Sequence, residues 1–370
     1  MNLFTDFNLL PSLQASIAEK GLMRPTDIQE QVIPALLEGR SLVGISETGS
    51  GKTLSFALPI LHILKTLENN GDSITAESQP RAAVIVPTRE LGEQLSRVFK
   101  PFTHTTRLRV RVLLGNSTPE VAKKNIAGTY EVIIATPGRL VKMLGRKLIN
   151  LSDVRILVFD EADQMLDQGF LPDARQIIEA CPSSRQLGLF SATISPPVQK
   201  LINELFADTQ VIRSKGSSSL VSSLKTINRA VIDGERFVLL EKILREKAPG
   251  GTLIFANTRE QCDKLVAELE KKGQKCAVYR GEMDKVERRS NLKAFREGQV
   301  SLLVSTDLAS RGLDVEHVGR VINYHLPRQL ENYIHRAGRT ARAGRPGTVI
   351  NMVTERDGPL MLQVEGIRGA

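Results

Sequence analysis

The chain has 370 residues, 41% of them hydrophobic and 25% charged, with 50 Lys+Arg against 41 Asp+Glu. That is the composition of a soluble globular protein of about two domains, and it excludes collagen-like, disordered and disulfide-stapled classes. Cys181, Cys262 and Cys276 form no Cys-x-x-Cys pair, the histidines show no ligand spacing, and no apolar run reaches the roughly 18 residues of a membrane span. Zinc sites, membrane insertion and secretion are therefore not expected, and a reducing cytoplasm is.

In chain order, apolar spacing predicts a helix over 4–20 and another from Thr26 or Asp27 to Leu37, closed by Gly39. An apolar run at 42–45 ends in a glycine-rich turn, and Lys52-Thr53 opens a helix over 54–64. Residues 68–80 read as an exposed connection. Strands follow at 82–86, 132–135, 156–159 and 187–190. Arg107, Arg109 and Arg111 alternate with apolar residues into 112–114, which predicts an edge strand with one charged face. Strands alternating with helices imply a parallel sheet, and such sheets gather ligands at the carboxyl ends of their strands.

The serine-rich segment 214–223 reads as a flexible linker between an N-terminal domain, 1–213, and a C-terminal domain, 224–370. The second domain repeats the alternation, with strands expected at 230–232, 252–256, 276–279, 302–305, 321–324 and 348–353. The charge is uneven. Residues 1–213 carry 23 Lys+Arg against 22 Asp+Glu, and residues 214–370 carry 27 against 19. A basic second half suits a polyanionic partner. Only 4% of residues are aromatic, which argues for backbone contacts over base stacking.

Three clusters carry chemistry. Residues 46–53, Ser-Glu-Thr-Gly-Ser-Gly-Lys-Thr, follow a strand and open a helix, the setting of a phosphate-binding loop. Gly49 and Gly51 let backbone N–H groups converge on an anion, Lys52 reaches terminal phosphates, and Thr53 offers a hydroxyl to Mg²⁺. Asp160-Glu161, at another strand end, supplies one carboxylate for the metal and one to activate a water. Together these predict triphosphate hydrolysis. Arg336, Arg339 and Arg342, three apart, are expected on one helical face, where an arginine finger for a phosphate would keep them from repelling one another.

The order of these clusters resembles the DEAD-box ATP-dependent RNA helicases over nearly the whole chain; residues 160–163 read Asp-Glu-Ala-Asp. Residues 21–29 resemble the family's adenine-recognition motif, with Phe4 at its upstream aromatic position, Leu22 where Phe is usual and Asp27 where Pro is common. The resemblance implies nucleotide contacts from Phe4, Arg24, Gln29, the loop residues Ser46, Glu47, Thr48, Gly49, Ser50, Gly51, Lys52 and Thr53, and Asp314 at the ribose. Pro87, Thr88 and Arg89, then Gly115, then Thr136, Pro137, Gly138 and Arg139, match its RNA-backbone motifs, as Arg259 and Thr306 do in the second domain. Asp163, Ser191 and Thr193 match the residues coupling hydrolysis to domain closure, together with Arg311, His335 and Arg336. Arg339 and Arg342 take the finger role.

The sequence departs from the family pattern at Ser46-Glu47, Asn116, Lys285, His325, where Asp is usual, and Ala341, where Gly is usual; Ala341 is expected to keep the helical spacing. The resemblance implies two RecA-like domains, each a mostly parallel sheet flanked by helices. It implies ATP and Mg²⁺ as cofactors, RNA as partner and a monomer. It also implies an RNA-stimulated ATPase that closes on a strand and unwinds short duplexes or remodels RNA–protein complexes. An ATP-gated RNA clamp that seldom unwinds remains open, and a DNA-directed helicase is the further alternative.

Overall fold

Four-residue runs such as Ala82–Ile85, Val132–Ala135 and Ile156–Phe159 are buried along their whole length. Continuous apolar strands of this kind need cover on both faces, which is the condition of a parallel sheet between helices. The computed structural model describes all residues except 1–2, 47–48, 75, 116–117, 195, 207–208, 215–223, 308–314, 316, 342–345 and 367–370, and the side chains of 119, 197, 285 and 331. The chain divides into two units, Met1–Ser217 and Ser218–Ala370. Of the expected linker, only Ser214 is described; its N–H donates to Ile45.

The first unit holds β1 (Leu42–Ile45), β2 (Ala82–Ile85), β3 (Val110–Leu113), β4 (Val132–Ala135), β5 (Ile156–Phe159), β6 (Gln186–Ser191) and β7 (Gln210–Arg213). They lie in the order β3-β4-β2-β5-β6-β1-β7, every pair parallel. Alternate residues serve opposite faces: Ala82 and Val84 pack with the helices Asp27–Leu37 and Lys52–Asn69, and Ala83 and Ile85 with the opposite core. Gly44 is required in β1 because a Cβ there would stand 2.8 Å from the Phe190 ring.

The second unit holds β8 (Leu224–Ala230), β9 (Gly251–Phe255), β10 (Cys276–Tyr279), β11 (Leu302–Ser305), β12 (Val318–Asn323) and β13 (Gly347–Val353). Their order is β10-β11-β9-β12-β13-β8, again all parallel, with a core on each face. The fold class expected from the sequence is present: two parallel sheets flanked by helices.

Several elements differ from expectation. The first helix is shorter, Pro11–Glu19, because Pro11 fits a first helical turn; a separate 3₁₀ turn covers Phe4–Asp6. Strand β7 gave no strong sequence signal, since only Ile212 of its four residues is buried. Strand β8 ends at Ala230, where a strand was expected to begin; its mostly exposed side chains mark a sheet edge without an apolar run. Arg107 lies outside the edge strand: it terminates the helix Arg89–Thr106 at φ 59°. Arg109 is held by Glu131.

Candidate active site

Strands β5, β6 and β1 are neighbours, and their carboxyl ends are tied by hydrogen bonds. Ser46 N–H, just past β1, donates to the Ser191 carbonyl at the end of β6 at 3.1 Å. The Ser191 hydroxyl accepts from the Asp163 N–H at 3.3 Å and donates to the Thr193 carbonyl at 2.8 Å. Asp163 Oδ2 accepts from the N–H groups of Ala192 and Thr193 at 3.1 and 3.0 Å and from Thr193 Oγ1 at 3.1 Å. The topology thus brings the phosphate-loop start, the acidic cluster and residues 191–193 into one bonded group.

Lys52 is the first residue of its helix and 7% exposed; its ammonium donates to the Ser46 carbonyl. Ser46 Oγ donates to Ser50 Oγ at 2.5 Å. Gly49 and Gly51 have φ 88° and 92°. A Cβ on Gly51 would lie 2.5 Å from Gln29 Nε2, so only glycine fits. Glu47 and Thr48 lie outside the described residues.

Gln29 is buried and joins two elements. Its Oε1 accepts from Thr26 N–H at 2.9 Å, closing a capping box on the helix Asp27–Leu37, and its Nε2 donates to the Gly51 carbonyl at 3.0 Å. Arg24 is exposed. Phe4 is 4% exposed; its ring lies in the core and meets Phe7 edge-on at 5.9 Å, so little of it is open to a base.

Asp160 and Glu161 are 3% and 6% exposed. Burial pushes the Asp160 carboxyl up to about 7, the Glu161 charge adds to that, and the Lys52 ammonium and the Glu161 N–H oppose it. Glu161 has φ 52° and ψ 53°, a left-handed conformation that strains a non-glycine residue at the turn into the helix Ala162–Asp167. Two buried adjacent carboxylates beside the Lys52 ammonium are short of positive charge, which fits a divalent cation at Asp160. The described residues contain no group of three or more His, Cys, Asp or Glu able to hold a metal by themselves. An ion such as Mg²⁺ needs few protein ligands and completes its shell with water and phosphate.

The sequence-predicted RNA residues also sit at strand ends. Pro87 is buried, Thr88 caps the helix Arg89–Thr106 by accepting from Leu91 N–H at 3.3 Å, and Arg89 pairs with Glu93. Thr136 precedes the helix Pro137–Gly145 after β4. Gly115 lies near it, a Cβ there being 4.0 Å from Thr136 Oγ1, while Gly138 faces Asp173. Arg139 donates to the Thr118 carbonyl at 3.0 Å. In the second unit Thr306 is buried after β11, and Arg259 opens the helix Arg259–Lys271 and pairs with Glu282. Asn116, Arg311, Asp314 and Arg342 lie outside the described residues.

The arginine row is not one helical face. The helix ends at Ala337, so Arg339 lies in the turn after it, 3% exposed, its Nε donating to the His335 carbonyl at 3.1 Å. Ala341 has φ 56°, so it does not keep a helical spacing; the left-handed backbone accounts for glycine as the family's usual residue there. His335 is buried, on the last turn.

Arg336 meets its anion inside its own unit. It is 1% exposed, lies 4.9 Å from the Phe255 ring centre and holds the Asp307 carboxylate through Nε and Nη2 at 2.5 and 2.7 Å. It also donates to Asn323 Oδ1, the His325 carbonyl and Asn257 Oδ1 at 3.0, 2.6 and 2.8 Å. Asn257, Asp307 and Asn323 were missed as members of this cluster. The available signal was a polar residue at the end of, or just beyond, an otherwise apolar strand.

Comparison with known proteins decides the family. The DEAD/DEAH box helicase family model matches residues 26–201, and the helicase conserved C-terminal domain model matches residues 235–344. The chain is 38% identical over 366 residues to the DEAD-box ATP-dependent RNA helicase RhpA of Helicobacter pylori, covering 98% of this chain and 72% of that protein. The chain belongs to the DEAD-box ATP-dependent RNA helicase family. This DEAD-box chain is also 34% identical to the ATP-dependent RNA helicase CshA of Listeria monocytogenes, over 96% of its own length and 67% of the relative. Among solved structures, S. cerevisiae Dbp5 bound to RNA and ADP BeF3 matches with a TM-score of 0.87 at 27% identity, covering 100% of this chain and 94% of that one. A DEAD box protein from Methanococcus jannaschii matches with a TM-score of 0.57 at 31% identity, covering 99% and 97%.

Proposed function

We propose that this chain is an RNA-stimulated ATPase that uses ATP to displace short RNA duplexes or to remodel RNA–protein complexes. The observation that carries it is the hydrogen-bonded group at the ends of β1, β5 and β6, in which the start of the lysine loop, Asp163 two residues after the paired carboxylates, and Thr193 are one connected structure. The RNA-bound state of the Dbp5 neighbour and the names of the relatives support RNA as the partner.

In this reading Lys52 and the backbone around Gly49 and Gly51 hold the triphosphate, and Glu161 takes a proton from the attacking water. A Mg²⁺ ion on Asp160 and Thr53 would neutralise phosphate charge. Gln29 selects the base. Thr26 and Gly51 leave its amide one N–H and one lone pair, which complement the donor and acceptor of adenine; guanine offers two acceptors and leaves the amide oxygen facing a lone pair. Arg339 and Arg342 supply charge to the transferring phosphate. Thr88, Arg89, Thr136, Arg139, Arg259 and Thr306 hold RNA through its backbone, so the preference is for RNA over DNA with little sequence selectivity. The domain limits 1–213 and 224–370 and a monomeric state belong to the same proposal. So does a cytoplasmic location, supported by the three free cysteines and by the lack of any helix, among the described residues, long and apolar enough to cross a membrane.

The deciding experiment is the ATPase rate against RNA and single-stranded DNA of equal length. RNA should stimulate and DNA should not; equal stimulation defeats the RNA assignment. Displacement of a short duplex with ATP but not with a non-hydrolysable analogue is expected under the remodelling reading. ATP-dependent retention without displacement would mark a clamp.

A further inference from the structure

Three asparagines stand side by side on three neighbouring strands. Asn323 of β12 pairs in register with Asn351 of β13, and Asn351 pairs with Asn228 of β8. Asn323 and Asn351 are fully buried, and Asn228 is exposed at the sheet edge. Asn323 Nδ2 donates to Asn351 Oδ1 at 2.8 Å, and Asn351 Nδ2 donates to Asn228 Oδ1 at 2.9 Å and to the Tyr333 hydroxyl at 3.1 Å. At the inner end, Asn323 Oδ1 accepts from Arg336 at 3.0 Å.

The direction of this ladder follows from chemistry. A guanidinium has only donors, so Asn323 must present its oxygen to Arg336. Its amide nitrogen then faces Asn351, which must answer with oxygen. An amide can rotate half a turn at little steric cost, and the rotated Asn323 would set two donors against each other at Arg336. On the far side the Asn351 Nδ2 is held by the Asn228 oxygen and the Tyr333 hydroxyl, which keeps the Asn351 oxygen turned toward Asn323 and so favours the correct Asn323 rotamer. Tyr333 and Arg336 lie on the helix Leu330–Ala337, whose His335 carbonyl holds Arg339.

We infer that Asn351 is a positioning residue for the arginine turn, fixing Arg336 through Asn323 and the helix through Tyr333, and thereby placing Arg339. The inference rests on the ATPase reading above for its kinetic consequence, while its structural consequence is measurable without turnover.

The test compares Asn351→Leu, which matches the shape but neither donates nor accepts, with Asn351→Asp, which keeps an acceptor for Asn323. Both should lower the melting temperature. Asn351→Leu should lower RNA-stimulated kcat by about tenfold with the KM for ATP within about twofold, while Asn351→Asp stays within about 1.5-fold of wild type. If Asn351→Leu does not fold, Asn351→Ser, whose hydroxyl can donate or accept, should show a loss of about threefold. The second readout is solvent exchange of the Arg336 Nε–H by nitrogen-edited NMR, expected to accelerate about tenfold in the Leu or Ser variant and little in the Asp variant. A wild-type chain with no ATPase defeats the functional reading and leaves the exchange measurement to decide this one. Unchanged Arg336 exchange, or full kcat in a folded Leu or Ser variant, overturns the inference.

Discussion

Asp163 and Thr193 are joined twice through one oxygen: Asp163 Oδ2 accepts both the N–H and the hydroxyl of Thr193, at 3.0 and 3.1 Å. The backbone bond fixes where residues 191–193 run, while the hydroxyl bond can be removed alone. Thr193→Val should cost about 1 kcal/mol of stability, the typical net value of one hydrogen bond. Because Asp163 adjoins the carboxylate pair, we expect duplex displacement to fall more than RNA-stimulated ATPase. Parallel loss of both rates, measured on one preparation, would show that this bond does not couple them.

Glu161 is buried beside Asp160 in a strained left-handed turn. Glu161→Gln preserves the shape and removes the base. Steady-state phosphate release should fall at least roughly a hundredfold, with ATP affinity retained. Hydrolysis near the wild-type rate would remove Glu161 from that role.

The Gln29–Gly51 contact predicts a pair of defects. Gln29→Ala should raise the KM for ATP about tenfold and erode discrimination against GTP, the loss expected for one bidentate base contact. Gly51→Ala places a Cβ against Gln29 at φ 92° and should destabilise the first unit by about 1–2 kcal/mol. Thermal melting with and without ATP separates the two effects.

His325 stands where the family usually has Asp. Burial lowers its imidazole to about 4, and the positive charges of Arg236 and Arg336 act in the same direction against the opposing Asp357. Its Nδ1 is buried with no hydrogen-bond partner among the described residues. The unfolded chain takes up this proton near 6.5 and the folded chain only near 4. Stability from this group is therefore complete above pH 6.5 and is lost as pH falls toward 4. Denaturant unfolding between pH 7 and 4 should show a shallower decline for His325→Gln than for the parent; identical slopes would remove His325 as a source of acid sensitivity.

The inner strands were legible because each is an unbroken apolar run ending in a polar cluster, and the parallel sheet followed from their alternation with helices. Strands β7 and β8 were not, because edge strands have little apolar surface to bury. The glycine-rich lysine loop stood out by local spacing, whereas Asp160-Glu161 gained meaning only in combination with Lys52 and Thr53. The arginine row was misread because spacing says nothing about where a helix stops. Asp307, the carboxylate that neutralises Arg336, is 29 residues away in sequence and reaches it only through the fold.

The second half's surplus of eight positive charges overstates what it offers a polyanion. Arg320 and Arg236 point their guanidiniums at carbonyls of Ile243, Glu246, Tyr324 and Met352 within the same unit. Cations held this way displace no counterions from a nucleic acid. The salt dependence of binding, about 0.7 in log–log slope per phosphate on a single strand, should therefore be set by the surface arginines and lysines and be shallower than the formal charge suggests.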